Sequence, residues 1–343
     1  MIKAQSHRRR LTLRTFKREA KNFIVSHPLV FNSFIRAINL PVLGHIYDFF
    51  YFRQVRKKAH GKMRQLSIEP NNVCNLKCIM CPYPDMTRPK ETMSMELFKS
   101  IIDQAAELGC EEVLLMLYNE PYIDKLLFER IKYVRGKGLL CSYYSNGTLL
   151  QKDNNIAKTL ETPPDLICFS LDGFSKEVME KIRVNANRDT VYSGINALLE
   201  ERNRRGLAEP RIEIYFTLNE INRHELKTFK KYWRDRADFV SIFPTDGRRS
   251  DEFVKLNYKR LKPYPCFNKS ELYVHSSGNL ALCCFDYNGG MNLGDLKKHS
   301  LKEVLASPTF NRYLDSHYYR KRDMEVCKNC SKLYIDSAFY WWF

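Results

Sequence analysis

From residue 65 onward the apolar positions fall into two alternating rhythms. Short runs with period two cover 65–69, 112–117, 140–145, 166–171, 211–218 and 239–243, and each predicts a strand. Between them the apolar spacing widens to three and four, which predicts helices. The first helix is expected over 94–108, with Ser94 as its N-cap and Leu97, Ile101, Ile102 and Ala105 on one face. Strand and helix in strict alternation predict an α/β fold built on a mostly parallel sheet. Sites in such sheets lie at the C-terminal ends of the strands. The polar, charged stretch after residue 245 breaks the rhythm and reads as a linker. These rhythms divide the chain into a basic amphipathic helical extension (1–62), the α/β part (63–245), a linker (246–262), a second domain (263–335) and an aromatic tail (336–343).

Charge sharpens that division. The 343 residues carry a net charge of +17, and residues 1–64 hold 15 Lys/Arg against only Glu19 and Asp48. Basic residues there interleave with Phe16, Phe23, Phe31, Phe34, Ile46, Phe49 and Phe52. Pro28 and Pro41 split the stretch into about three helical pieces. Such helices suit an anionic membrane surface, while packing against the main domain is the plain alternative and a nucleic-acid groove is disfavoured. No run reaches the ~18–20 apolar residues of a membrane span, and no signal-peptide pattern opens the chain. A cytoplasmic protein, at most peripheral at the inner face of the membrane, is expected.

The eleven cysteines change the picture from architecture to chemistry. Seven fall into two ligand-like sets, a pattern of metal binding rather than of a disulfide framework. In the first, Cys74, Cys78 and Cys81 are spaced Cys-x3-Cys-x2-Cys just after the first strand. Three thiolates can hold three irons of a cubane and leave the fourth iron open, whereas structural zinc wants four closed ligands. This spacing is that of the radical S-adenosylmethionine (radical SAM) superfamily, and the resemblance extends through the strand ends. Tyr118-Asn119-Glu120-Pro121 resembles the family's Gly-Gly-Glu-Pro motif with both glycines replaced; Ser145-Asn146-Gly147 and Ser170-Leu171-Asp172-Gly173 resemble two further family motifs.

The resemblance implies a partial (βα)6 barrel, an open-iron 4Fe-4S cluster and S-adenosylmethionine (SAM). It implies SAM contacts from Met80 near the adenine, Asn119 and Glu120 at the ammonium, Ser145 and Asn146 at polar groups, and Ser170 and Asp172 at the ribose and carboxylate. Arg183 sits where a family arginine pairs the methionine carboxylate.

The second set comes from the later cysteines Cys266, Cys283, Cys284, Cys327 and Cys330, with only one of the adjacent Cys283 and Cys284 counted as a ligand. Its four-thiolate arrangement suits zinc or a fully ligated cluster. With Gly278 and Leu293-Gly294-Asp295 between, it resembles the SPASM and shorter twitch domains, which implies a second, auxiliary 4Fe-4S cluster on Cys266, Cys284, Cys327 and Cys330.

The expected reaction, by family analogy, is hydrogen abstraction from a carbinol centre of a sugar, aminocyclitol or glycan, giving oxidation or epimerisation. The substrate would be a small molecule or a lipid-linked glycan, and a flavodoxin or ferredoxin would supply electrons. Cys141, Cys168 and Cys283 are candidate hydrogen donors for epimerisation. A maturase of ribosomal peptides and a non-catalytic iron-sulfur protein are the alternatives.

Overall fold

The computed structural model describes residues 65–244, 271–281 and 283–318, with isolated positions between 33 and 49. The helical extension, the linker, the aromatic tail and three of the cysteines (Cys266, Cys327 and Cys330) otherwise lie outside the described residues.

Six strands follow the predicted runs closely: β1 (Gln65–Ile68), β2 (Glu112–Leu115), β3 (Leu140–Ser145), β4 (Leu166–Ser170), β5 (Arg211–Leu218) and β6 (Phe239–Pro244). All pair in parallel, in the order β6-β5-β4-β3-β2-β1. The sheet is open. Beyond β1 it continues with β7 (Glu271–Val274), β8 (Asn279–Ala281) and β9 (Asn292–Asp295). Strand β7 lies parallel to β1, with Gln65 opposite Glu271, and then turns back as an antiparallel hairpin. The second domain thus extends the sheet of the first.

Helices α1 (Met95–Glu107), α2 (Leu127–Gly136), α3 (Asn155–Glu161), α4 (Lys176–Ile182), α5 (Arg188–Arg204) and α6 (Leu226–Arg234) connect the parallel strands, while α7 (Leu301–Ala306) and α8 (Pro308–Tyr318) follow β9. Ser94 caps α1 as expected, accepting from the Leu97 N–H at 3.2 Å, a contact worth ~1 kcal/mol. Period two decides which strand residues meet the helices. Leu66, Ile68, Val113, Leu115, Cys141, Tyr143, Ile167, Phe169, Ile212, Ile214 and Phe216 form one apolar layer with Phe98, Ile101, Ile131, Ile195, Phe229 and Trp233. Each such large side chain contributes ~1.5–3 kcal/mol on burial, so this layer holds the fold.

The opposite, inner face of the strands is polar. It carries Ser67, Ser142, Tyr144, Cys168, Ser170, Glu213, Tyr215 and Ser241, and it leaves the strand ends to be shaped by hydrogen bonds.

Candidate functional site

The stretch after β1 forms the thiol loop. Leu76 is buried and anchors it, and two backbone bonds dock it on the end of α4: Lys77 N–H to Val184 O and Ile79 N–H to Ile182 O, both 3.0 Å. Four N–H donors then point at sulfur. Leu76 N–H lies 3.5 Å from Cys74 Sγ, Tyr83 N–H 3.5 Å from Cys81 Sγ, the Asn146 amide 3.9 Å from Cys74 Sγ and Arg183 Nη1 3.7 Å from Cys78 Sγ.

Burial pushes the Cys74 thiol up to about 12, against the Leu76 N–H, and Cys78 to about 11, against the nearby Arg183. As free thiols they stay protonated, so taking up metal there releases protons. The described cysteines are free of disulfides, and no group of three or more His, Cys, Asp or Glu among the described residues closes around a single metal ion. Donors aimed at all three sulfurs fit the thiolates of an iron-sulfur cluster, whose charge such N–H groups stabilise.

Arg183 and Asp172 form the wall beside Cys78. Asp172, fully buried, takes a positive φ of 60° at the end of β4. Its carboxylate accepts from Arg183 Nη2 at 2.5 Å and from Thr217 N–H at 2.6 Å. Gly173 must follow it, because a Cβ there would stand 2.6 Å from the Met179 backbone nitrogen. Arg183 therefore spends its fork on Asp172 and on the sulfur, leaving Nε as a buried atom without a hydrogen-bond partner. The expected pairing with a methionine carboxylate would have to use that remaining edge or break the Asp172 pair.

Glu120 behaves similarly. Its carboxylate accepts from Ser145 Oγ and Asn146 N–H, both at 2.8 Å, and from Tyr122 N–H at 3.3 Å, tying the end of β2 to the end of β3. Asn146 also bonds Asn75 at 2.9 Å, so this knot reaches the thiol loop. Asn119 turns its carbonyl back onto Leu117 N–H at 3.0 Å and leaves Nδ2 buried without a partner, a donor available to an acceptor oxygen. Met80 is half-buried in the thiol loop, and Ser170 half-buried on the inner face opposite Tyr215.

Burial holds the Glu120 carboxyl at about 7, with its hydrogen bonds opposing. Between the ordinary carboxylate range and pH 7 the folded chain then binds the extra proton. Its contribution to stability is complete below about pH 4.5 and is lost as pH rises through about 7. Glu120→Gln is expected to remove that slope from the cluster-free protein. It should also cost about 1–3 kcal/mol, since an amide N–H would face donors; urea titrations at pH 5 and pH 8 measure both.

Of the candidate hydrogen donors, Cys141 shares its face with Ser145 as period two requires, but that face is the helix side. It sits fully buried in the apolar layer, away from the inner face. Cys168 does face inward, with its thiol 3.4 Å from Glu213 Oε2. Cys283 is half-buried beside Cys284, and its sulfur accepts from Phe285 N–H at 3.3 Å.

Three features escaped the sequence reading. Glu213 takes a bond from Ser241 Oγ as well as from Cys168. Tyr144 and Tyr215 bring their hydroxyls to 3.2 Å, and the Tyr215 ring stacks on Phe243 at 4.3 Å. The third is the carboxylate of Glu69, which gathers donors from both domains. A signal for the first two was present, since Glu213 and Tyr215 alternate with Ile212, Ile214 and Phe216.

Family models match the two halves of this arrangement. The model of the radical SAM superfamily matches residues 68–232, the thiol loop and the strand ends just described. The chain belongs to the radical SAM superfamily. The SPASM iron-sulfur cluster-binding domain model matches 266–331, so this radical SAM protein carries a second cluster domain that follows β6 in the chain and includes β7, β8 and β9. The two domains imply a 4Fe-4S cluster with SAM and an auxiliary cluster.

The cysteine-type anaerobic sulfatase-maturating enzyme of Clostridium novyi is 24% identical over 332 residues, 78% of this chain and 86% of its own. The tungsten-containing aldehyde ferredoxin oxidoreductase cofactor-modifying protein of Pyrococcus furiosus is 25% identical over 179 residues, 50% of this chain and 48% of its own. The match spans about half the length of that relative. BtrN, solved in complex with AdoMet and 2-DOIA, superposes with a TM-score of 0.54 at 15% identity, over 78% of this chain and 93% of its own, a likeness of fold.

Proposed function

We propose that this radical SAM enzyme abstracts hydrogen from a carbinol carbon of a sugar, aminocyclitol or glycan. The observation that carries the reading is the polar inner face of the sheet. There the phenols of Tyr144 and Tyr215, the hydroxyls of Ser170 and Ser241 and the carboxylate of Glu213 line one surface, and Phe243 backs Tyr215. Hydroxyl, carboxylate and aromatic groups together suit a polyhydroxylated ring, which offers both O–H donors and C–H faces.

Held by Cys74, Cys78 and Cys81, the first cluster with SAM would supply radical hydrogen-abstraction chemistry, and the second, held by Cys266, Cys284, Cys327 and Cys330, would supply an electron acceptor. In an oxidation Glu213 would receive the hydroxyl proton, a role supported by Ser241 and Cys168 holding its two oxygens on the inner face. Cys168 is also the inward thiol for an epimerisation. A flavodoxin or ferredoxin fits as electron donor. The excess of positive charge in residues 1–64, with Val42, Leu43, Ile46 and Phe49 exposed, supports a lipid-linked glycan met at an anionic membrane surface. No helix among the described residues is long and apolar enough to cross a membrane.

Peptide maturation is the second reading, favoured by the similarity to the sulfatase-maturating enzyme across most of both chains. Anaerobically reconstituted protein, supplied with SAM and dithionite, separates the two. Sugar nucleotides or aminocyclitols deuterated at the carbinol carbon are expected to raise 5′-deoxyadenosine formation and to label it with deuterium. Stimulation by a cysteine- or serine-containing sulfatase peptide instead would transfer the assignment to maturation.

A further inference from the structure

Position 118 is a glycine in the motif that Tyr118-Asn119-Glu120-Pro121 resembles, and here it bears a large side chain held at both ends. Tyr118 is buried at 4% exposure. Its N–H donates to Glu69 Oε1 at 3.3 Å, and its hydroxyl donates to the backbone carbonyl of Cys284. Its ring meets Tyr287 edge-on, with centroids 6.1 Å apart. One side chain thus runs from the loop that ends β2 to the loop that carries an inferred ligand of the second cluster.

The surrounding contacts close this link into a circuit. Glu69, fully buried just past β1, accepts both Arg88 Nη1 at 2.8 Å and Nη2 at 3.0 Å, and it accepts Ser276 N–H at 3.1 Å and Oγ at 3.2 Å from the hairpin of β7 and β8. Arg88 Nε donates to Tyr287 O at 2.7 Å, and Thr87 N–H donates to Asn288 at 2.8 Å. Residues 69, 88 and 118 of the first domain and 276, 284 and 287 of the second are therefore parts of one polar ring, buried at Glu69, Tyr118, Ser276 and Cys284 and half-buried at Arg88 and Tyr287. Such a ring is stiff when complete, because each member left unpaired would cost the full penalty of a buried polar group.

We infer that Tyr118 is a positioning residue that makes SAM affinity depend on whether the second cluster site is filled. Ligation through Cys284 fixes the 284–287 loop; through Tyr118 that order is passed to Asn119 and Glu120. A loop already ordered costs less to fix when a ligand arrives, which is positive coupling with no change of shape required. Coupling of this kind is reciprocal, so SAM also holds the second site together. The inference rests on the assignment of Cys284 to the second cluster and is independent of the substrate.

The test is a cycle of four full-length proteins, reconstituted without oxygen and assayed for iron: wild type, Cys327→Ala/Cys330→Ala, Tyr118→Phe and the combination. Equilibrium dialysis with radiolabelled SAM gives each Kd. Loss of the second cluster is expected to weaken SAM at least ~5-fold in the wild-type background, and by less than about 2-fold when residue 118 is Phe. In the reverse direction, SAM should slow removal of second-site iron by a chelator in wild type and not in Tyr118→Phe. An equal weakening in both backgrounds, or none in either, overturns the inference. Should Tyr118→Phe fail to retain iron, Glu69→Gln takes its place in the cycle. It disturbs the N–H end of the residue and keeps the phenol. Because the readout is SAM binding, a failed search for a sugar substrate leaves the result intact.

Discussion

Replacing Cys74, Cys78 and Cys81 together by alanine is expected to lower iron from about eight atoms per chain to about four and to abolish 5′-deoxyadenosine formation. The three sulfurs are met by N–H groups from their own loop, from Asn146 and from Arg183, and alanine offers none of them a charge to stabilise. The irons that remain belong to the second domain, matched over 266–331. Iron and sulfide assays with electron paramagnetic resonance make the measurement, the wild-type reduced signal changing on addition of SAM and the variant's not. About four irons in wild type and none in the variant would remove the second cluster from the scheme and leave epimerisation through Cys168 as the reaction to pursue.

The second large effect concerns stability. Arg183→Met should cost about 3–5 kcal/mol, because it leaves the fully buried Asp172 carboxylate without its cation. A substitution in both, Arg183→Met with Asp172→Asn, should lose clearly less than the sum of the two single losses. The asparagine is neutral and tolerates the positive φ at that position. Guanidinium titrations are best made in the Cys74/Cys78/Cys81→Ala background, where the contact between Arg183 and Cys78 is already absent. Additive losses would show that the pair contributes little and that Asp172 is held by the Thr217 N–H alone.

Much of this was legible in the chain. Parallel strands announce themselves by period two, and Ser94 by its place before an apolar helix face, because both patterns are local. The thiol loop was legible because its ligands lie within eight residues of one another. What stayed hidden depends on contacts between distant segments. Glu69 meets Ser276 across 207 positions and Arg88 across 19, and nothing in either neighbourhood marks the partner. Cys141 shows a different limit. Alternation says which residues share a face, but which face the helices cover is settled only when the connections wrap the sheet. The end of a strand escapes even that rule. Ser145 shares the covered face with Cys141, yet at the last position of β3 it reaches Glu120.

The pairing of β7 with β1 also sets an order of events during synthesis. A chain leaving the ribosome N-terminus first can complete β1 through β6 with their helices while Glu271 has not yet emerged. Until it does, β1 presents an unpaired edge, its N–H and C=O groups open to any passing strand. The hairpin that covers this edge also brings Cys284 against Tyr118, so closing the edge and installing the second site are one late event. Chains arrested before residue 271 should therefore be those most prone to aggregate, and iron delivered during translation meets Cys74, Cys78 and Cys81 well before it meets the second set.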